Sequence, residues 1–80
     1  MPTSWLVDPV PELKRRAADR IAHEIRDRTL LDARMVLDVD DRRIGDIRAG
    51  RLERFSLERL LRCLTRLRLR VEIYVNGTKL

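Results

Sequence analysis

Residues 29–75 read TLLDARMVLDVDDRRIGDIRAGRLERFSLERLLRCLTRLRLRVEIYV, and the cap residues in this stretch decide the fold. Thr29 stands before Leu30 with Asp32 at the third helical position, a capping-box-like pattern in which Asp replaces the longer Glu. A short helix is expected over Leu30–Leu37, burying members of Leu31, Met35 and Val36 and stopping at Asp38. Asp40 is a second cap, so another helix can run over Asp41–Ala49, with Ile44 and Ile47 on its buried side and Gly50 as the stop. Ser56 caps the clearest helix. Glu58 favours its positive end, Leu57, Leu60, Leu61, Leu64 and Leu67 keep 3-4 spacing, and Arg59, Arg62 and Arg66 line the opposite side. The apolar period then falls to two. Leu69, Val71, Ile73 and Val75 alternate with Arg70, Glu72, Tyr74 and Asn76, which predicts a strand over 69–75.

Upstream, Pro11 suits a first helical turn, and a helix is expected from there to about Arg28. Leu13, Ala17, Ile21 and Ile25 recur every fourth residue, with Ala18 and Ala22 beside them, as one apolar stripe. Residues 1–10 read as an arm, and its Trp5-Leu6-Val7 triplet as an anchor on the domain or on a partner. Residues 11–80 form the folded domain. Downstream, Asn76-Gly77 is a hairpin turn signal, yet only Thr78, Lys79 and Leu80 follow, too few for a full return strand. A lone strand leaves its backbone groups unpaired. The expected partner is the same strand of a second copy, antiparallel across a two-fold axis, with Trp5–Val7 as the other candidate.

The chain has 80 residues, a formal net charge of +5 and 39% charged side chains. A domain of this size buries only roughly 60% of its unfolded-chain surface, which argues against several domains or a deep substrate cavity. No run approaches the roughly 20 apolar residues of a membrane span. The opening MPTSWLVDPVPELK lacks a basic n-region and a long apolar core, so no signal peptide is expected. The single cysteine, Cys63, cannot build an internal disulfide, and a reducing cytoplasm is the expected compartment.

The charge is local. Residues 42–70 hold ten arginines against Asp46, Glu53 and Glu58, a net +7, while residues 29–41 hold Arg34 against four aspartates. Sixteen of the eighteen cations are arginine, which suits bidentate contact with phosphate or carboxylate. The alternative is a solvated helical face. Catalysis has no support: His23 is the sole histidine, with no Cys or second His beside it to share a metal, and Cys63 reads as a core residue. No Gly-rich phosphate loop is present. No cofactor, metal or small-molecule substrate is expected.

Two short helices joined by a tight turn, with a long helix before and an amphipathic one after, make the pattern of a helix-turn-helix domain. From Thr29 to Val75 the chain also resembles, without a gap, the small XRE-type helix-turn-helix family that includes HigA-like antitoxins. The most specific stretches are Asp46 to Ser56 and Val71 to Val75. The resemblance implies a mainly α fold of four to five helices with one C-terminal β-strand that pairs across a dimer two-fold. It also implies binding to operator DNA, commonly beside a toxin gene, so the expected partners are double-stranded DNA, a second copy and a cognate toxin.

On that expectation the Asp41–Ala49 helix enters the major groove. Arg42 and Arg43 read bases there, unless Arg43 is taken up by a neighbouring Asp. Thr29, Arg48, Arg51 and Arg54 meet phosphates, and Leu69, Val71, Ile73, Tyr74 and Val75 form the dimer contact. Asp46 matches the family and can orient arginines. The chain departs from the pattern at Leu30, where the family has Gln; at Arg34, where a small Ala packs between the motif helices; at Asp38, in place of Gly; and at Asp41 and Gly45, in place of polar residues. A bulky charge at Arg34 is expected to cost a packed core a few kcal/mol unless the helix pair opens or rotates. The alternative function is a protein-interaction module whose helix-turn-helix no longer binds DNA.

Overall fold

A computed structural model describes residues 8–80 of the chain. Four helices are followed by a hairpin: α1 (Val10–Glu24), α2 (Leu30–Leu37), α3 (Asp41–Ala49), α4 (Leu57–Arg66), β1 (Tyr74–Val75) and β2 (Thr78–Lys79). The Trp5-Leu6-Val7 anchor lies outside the described residues, as does most of the arm.

The caps set the helix starts. Thr29 Oγ1 accepts from the Asp32 amide at 3.1 Å, Asp40 Oδ1 from the Arg43 amide at 2.9 Å, and Ser56 Oγ from the Arg59 amide at 3.1 Å. Each satisfies one of the amides that a helix start leaves without a partner. Asp38 ends α2 in the left-handed region (φ 55°, ψ 48°), a conformation that Asp adopts more readily than most side chains. The α2–α3 turn therefore closes without the glycine of the family pattern.

Two helix ends share a Schellman geometry. After α3, Gly50 takes φ 75°, with the Gly50 amide on the Ile47 carbonyl at 3.2 Å and the Arg51 amide on the Asp46 carbonyl at 2.9 Å. After α4, Arg68 takes φ 64°, its amide meets the Thr65 carbonyl at 2.8 Å, and the Leu69 amide meets the Leu64 carbonyl at 3.1 Å. The first folds Arg51 back over α3. The second turns Leu69 onto the core and sends the tail outward.

The core joins Ala17, Ala18, Ile21 and Ile25 of α1 and its end to Ala33 and Leu37 of α2, Val39 of the α2–α3 turn, Ile44 and Ile47 of α3, Phe55 of the loop after it, and Leu60, Cys63 and Leu64 of α4. α1 lies against α3 and α4, and α2 against α3 and α4. The stripes expected on α1, α3 and α4 are in place, with differences. α1 starts one residue earlier and gives way to a turn after Glu24, and Leu13, at its outer end, is exposed. On α2 the expectation holds only for Val36, which is half-buried against the core: Ala33 and Leu37 are buried, and Leu31 and Met35 face outward, Met35 with 71% of its surface exposed. Both pairs are four apart and define opposite faces of a two-turn helix. The tight turn into α3 selects the face carrying the small Ala33.

The terminal strand also differs from expectation. Only Tyr74–Val75 forms a strand, and it pairs within the chain with Thr78–Lys79 (Tyr74 opposite Lys79, Val75 opposite Thr78). Asn76 (φ 51°) and Gly77 (φ 80°) both take the positive φ of a type I′ turn, which closes a hairpin in two residues. Three residues after the turn suffice, because the ladder ends with the Leu80 amide on the Ile73 carbonyl at 2.9 Å.

Candidate nucleic-acid interface

α3 buries Ile44 and Ile47 and turns Asp41, Arg42 and Ala49 outward, with Gly45 half-exposed. Glycine inside a helix costs about 1 kcal/mol relative to Ala. Packing does not explain it here, because a Cβ at Gly45 would meet nothing within 4 Å. Asp41, Gly45 and Ala49 are four apart along one side of α3, where Arg48, three residues after Gly45, reaches away to the end of α1.

Asp46 organises the neighbouring arginines. Its carboxylate, 14% exposed, lies 3.2 Å from Arg43 Nη1 through Oδ2 and 3.1 Å from Arg51 Nε through Oδ1. Burial works against ionisation of this carboxyl, but the hydrogen bonds from Arg51 and Arg43 outweigh it and hold the pKa below the usual range. The Arg43 guanidinium also sits 5.6 Å from the centre of the Phe55 ring, and that of Arg59 sits 5.7 Å from it. Phe55 is itself core, so this aromatic anchors two arginines to the interior.

The expected site residues separate accordingly. Arg42, Arg51 and Arg54 converge with Asp46 and Glu53 on one open cleft of about 300 Å³ beside α3. Arg42 and Arg54 have no ion-pair partner among the described residues, and Arg51 stays largely exposed despite its contact with Asp46. Arg43 is the exception: paired to Asp46, set against Phe55 and only 23% exposed, it takes the alternative role left open for it, a brace beneath the surface. Arg48 points elsewhere, donating to the Ile25 carbonyl at 3.5 Å and tying the end of α3 to the end of α1. Thr29 is exposed at the start of α2, with its hydroxyl engaged as the cap.

Sequence reading missed two contributors. The Phe55 stack depends on loop geometry, and its only sequence signal is an aromatic inside an arginine-rich segment. Arg34 does not wedge the motif helices apart. Its Nε lies 3.0 Å from Asp41 Oδ1, with both side chains near half exposed (47% and 57%), while Ala33 fills the interior. The departures at positions 34 and 41 thus meet as an ion pair. Elsewhere, Cys63 is buried and its thiol is pushed up by burial, the opposite of an activated nucleophile. No helix among the described residues is long and apolar enough to cross a membrane.

The tail carries a second surface. Arg70, Glu72, Tyr74 and Lys79 share one side: Glu72 receives Lys79 Nζ at 3.3 Å and the Tyr74 hydroxyl at 2.9 Å, and lies 2.9 Å from Arg70 Nε. Val71, Ile73, Val75 and Leu80 alternate onto the other side, and all four are exposed.

Comparison with known proteins agrees with this architecture. Residues 11–76 match the family described as Helix-turn-helix domain. Neither a curated protein nor a solved structure matches the chain significantly. With the match spanning all four helices and β1, the chain belongs to the helix-turn-helix domain family.

Proposed function

We propose that the protein is a DNA-binding transcriptional regulator that sets α3 into the major groove, acts in the cytoplasm, and serves as autorepressor and antitoxin of a toxin-antitoxin operon. The observation that carries the DNA reading is the convergence of Arg42, Arg51 and Arg54 on one cleft beside α3. Arg42 stands at the N-terminal end of α3, the end that reaches base edges in this motif, and it is the base reader. Arg51 and Arg54 follow the helix and meet phosphates, with Thr29 and the free amides of the first turn of α2 on the same backbone. The small side of α3 at Gly45 and Ala49 suits close approach of a duplex. Neither a catalytic role nor a cofactor belongs to this reading.

The test is a gel shift with DNA from upstream of the protein's own gene against a shuffled duplex. Specific retention that Arg42→Ala removes supports the proposal. Retention absent even at low salt, or indifferent to sequence, refutes it. The protein acts as a homodimer in this reading, through the exposed apolar side of Val71, Ile73, Val75 and Leu80; of the other expected contacts, Leu69 packs onto the core and Tyr74 lies on the opposite side with Glu72. Val75→Asp is then expected to halve the mass seen by light scattering.

One observation favours the second reading, a protein-interaction module that neutralises a toxin without touching DNA. Leu30, Leu31 and Met35 expose an apolar face on α2 where the family pattern has a polar start. A protein that binds its toxin while leaving every duplex unshifted would establish that alternative.

A further inference from the structure

Resting on the DNA-binding reading, we propose that Asp41, held by Arg34, reads a cytosine amino group in the major groove, and that Arg34 is the positioning residue that makes this contact workable. A carboxylate on the leading turn of a groove-bound helix is normally unfavourable, because the phosphates on either side repel it. Here the repulsion is met within the protein. Arg34 Nε lies 3.0 Å from Asp41 Oδ1, and no other ion pair or hydrogen bond involves the Asp41 side chain among the described residues. A carboxylate has about four lone-pair sites on two oxygens, so the pairing leaves Oδ2 free to accept.

The geometry favours a base over a phosphate as the target. Asp41 is the first residue of α3, next to Arg42, and is more than half exposed. An acceptor-only group in the major groove pairs with the cytosine N4 amine, whereas an adjacent arginine pairs with guanine O6 and N7. Adjacent acceptor and donor side chains would therefore read neighbouring C·G and G·C pairs. Arg34 reaches this end from α2, across the left-handed turn at Asp38. Its role is to fix the rotamer and cancel the charge of Asp41, and its remaining guanidinium donors stay free. The structural alternative is that Asp41 only favours the positive end of α3; that role would leave base preference untouched.

The experiment is selection from a randomised duplex library by the wild-type protein and by Asp41→Asn, Arg34→Met and Arg34→Lys, with sequencing of the retained DNA. Both positions are exposed, and thermal melting confirms that each variant is folded. The expected wild-type motif contains a cytosine beside the guanine read by Arg42. Asp41→Asn loses the preference for that cytosine by about tenfold or more while the rest of the motif persists. Arg34→Met blurs the same position, and Arg34→Lys restores it in part. An identical motif in the wild type, Asp41→Asn and Arg34→Met overturns the inference, as does a loss spread evenly over every position. A wild-type protein that enriches no motif overturns the DNA-binding reading and this inference with it.

Discussion

The outer face of α1 and the cleft beside α3 are both rich in arginine, and the two use it differently. On α1, Arg15 meets Glu12 and Asp19, Arg16 meets Glu12, and Arg20 meets Glu24, all three or four residues apart along one helix. The hydrogen bonds from Arg15 and then Arg16 lower the pKa of Glu12 to about 2. Beside α3, Arg42 and Arg54 have no carboxylate partner among the described residues, and Asp46 is occupied by a brace and by Arg51. Arginine count alone therefore says little about function. A surface whose cations are already matched solubilises the chain, and a surface whose cations are left over is available to an outside anion.

The strongest consequence is expected where the second surface is attached to the core. Phe55→Ala removes a buried aromatic and the platform under Arg43 and Arg59, and is expected to cost about 3–5 kcal/mol in urea unfolding. Arg15→Ala on the first surface should lower the unfolding midpoint only slightly, because its ion pairs are exposed and screened by solvent. A small shift for Phe55→Ala would show that the arginines are not held from below.

At the level of function, Arg42→Ala separates the two surfaces. It should lower affinity for the preferred duplex by about 1–3 kcal/mol, with little effect on unrelated sequences, as measured by fluorescence anisotropy. Arg16→Ala should change neither.

Gly45→Ala is expected to move two quantities in opposite directions. Stability should rise by about 1 kcal/mol, since the new methyl meets open space, while DNA affinity falls because the methyl occupies the side of α3 that the duplex approaches. A gain in stability with unchanged affinity would place the duplex elsewhere.

The most modest change is in pH dependence. Asp46 has a folded pKa below its unfolded value, so its stabilisation is fully present above the unfolded carboxylate pKa and is lost as pH falls through the folded one. Asp46→Asn should therefore melt lower than wild type at neutral pH and converge with it only in acid, once Asp46 is protonated in the folded state as well. Glu12 follows the same sign on α1.

The helices were legible because their signals are local: Thr29, Asp40 and Ser56 each act on an amide three residues ahead, and the leucines of α4 repeat over several turns. The buried face of α2 was not, since in eight residues Leu31 with Met35 and Ala33 with Leu37 are equivalent until α3 and α4 choose between them. The same divide runs through the candidate site. Arg43 with Asp46 is an i, i+3 pair that spacing alone raises, and Asp46 does orient arginines. Arg34 with Asp41 lies seven apart across a left-handed turn, and the Phe55 stack depends on how the loop after α3 folds; neither leaves a periodic trace. The tail hairpin was undervalued because a type I′ turn needs only two residues to reverse the chain.

What distinguishes this reading from a merely basic surface is that the cleft arginines beside α3, Arg54 without a carboxylate partner among the described residues and Arg51 largely exposed beside Asp46, bind phosphates, and those on α1 do not. The decisive measurement is DNA affinity against salt for the wild type, an Arg51→Ala/Arg54→Ala variant and an Arg15→Ala/Arg16→Ala variant. The log–log slope should shrink by about 2 for the first pair, roughly one for each phosphate no longer neutralised, and stay at the wild-type value for the second. Equal slopes for all three proteins, or a larger decrease from the α1 pair, would contradict it.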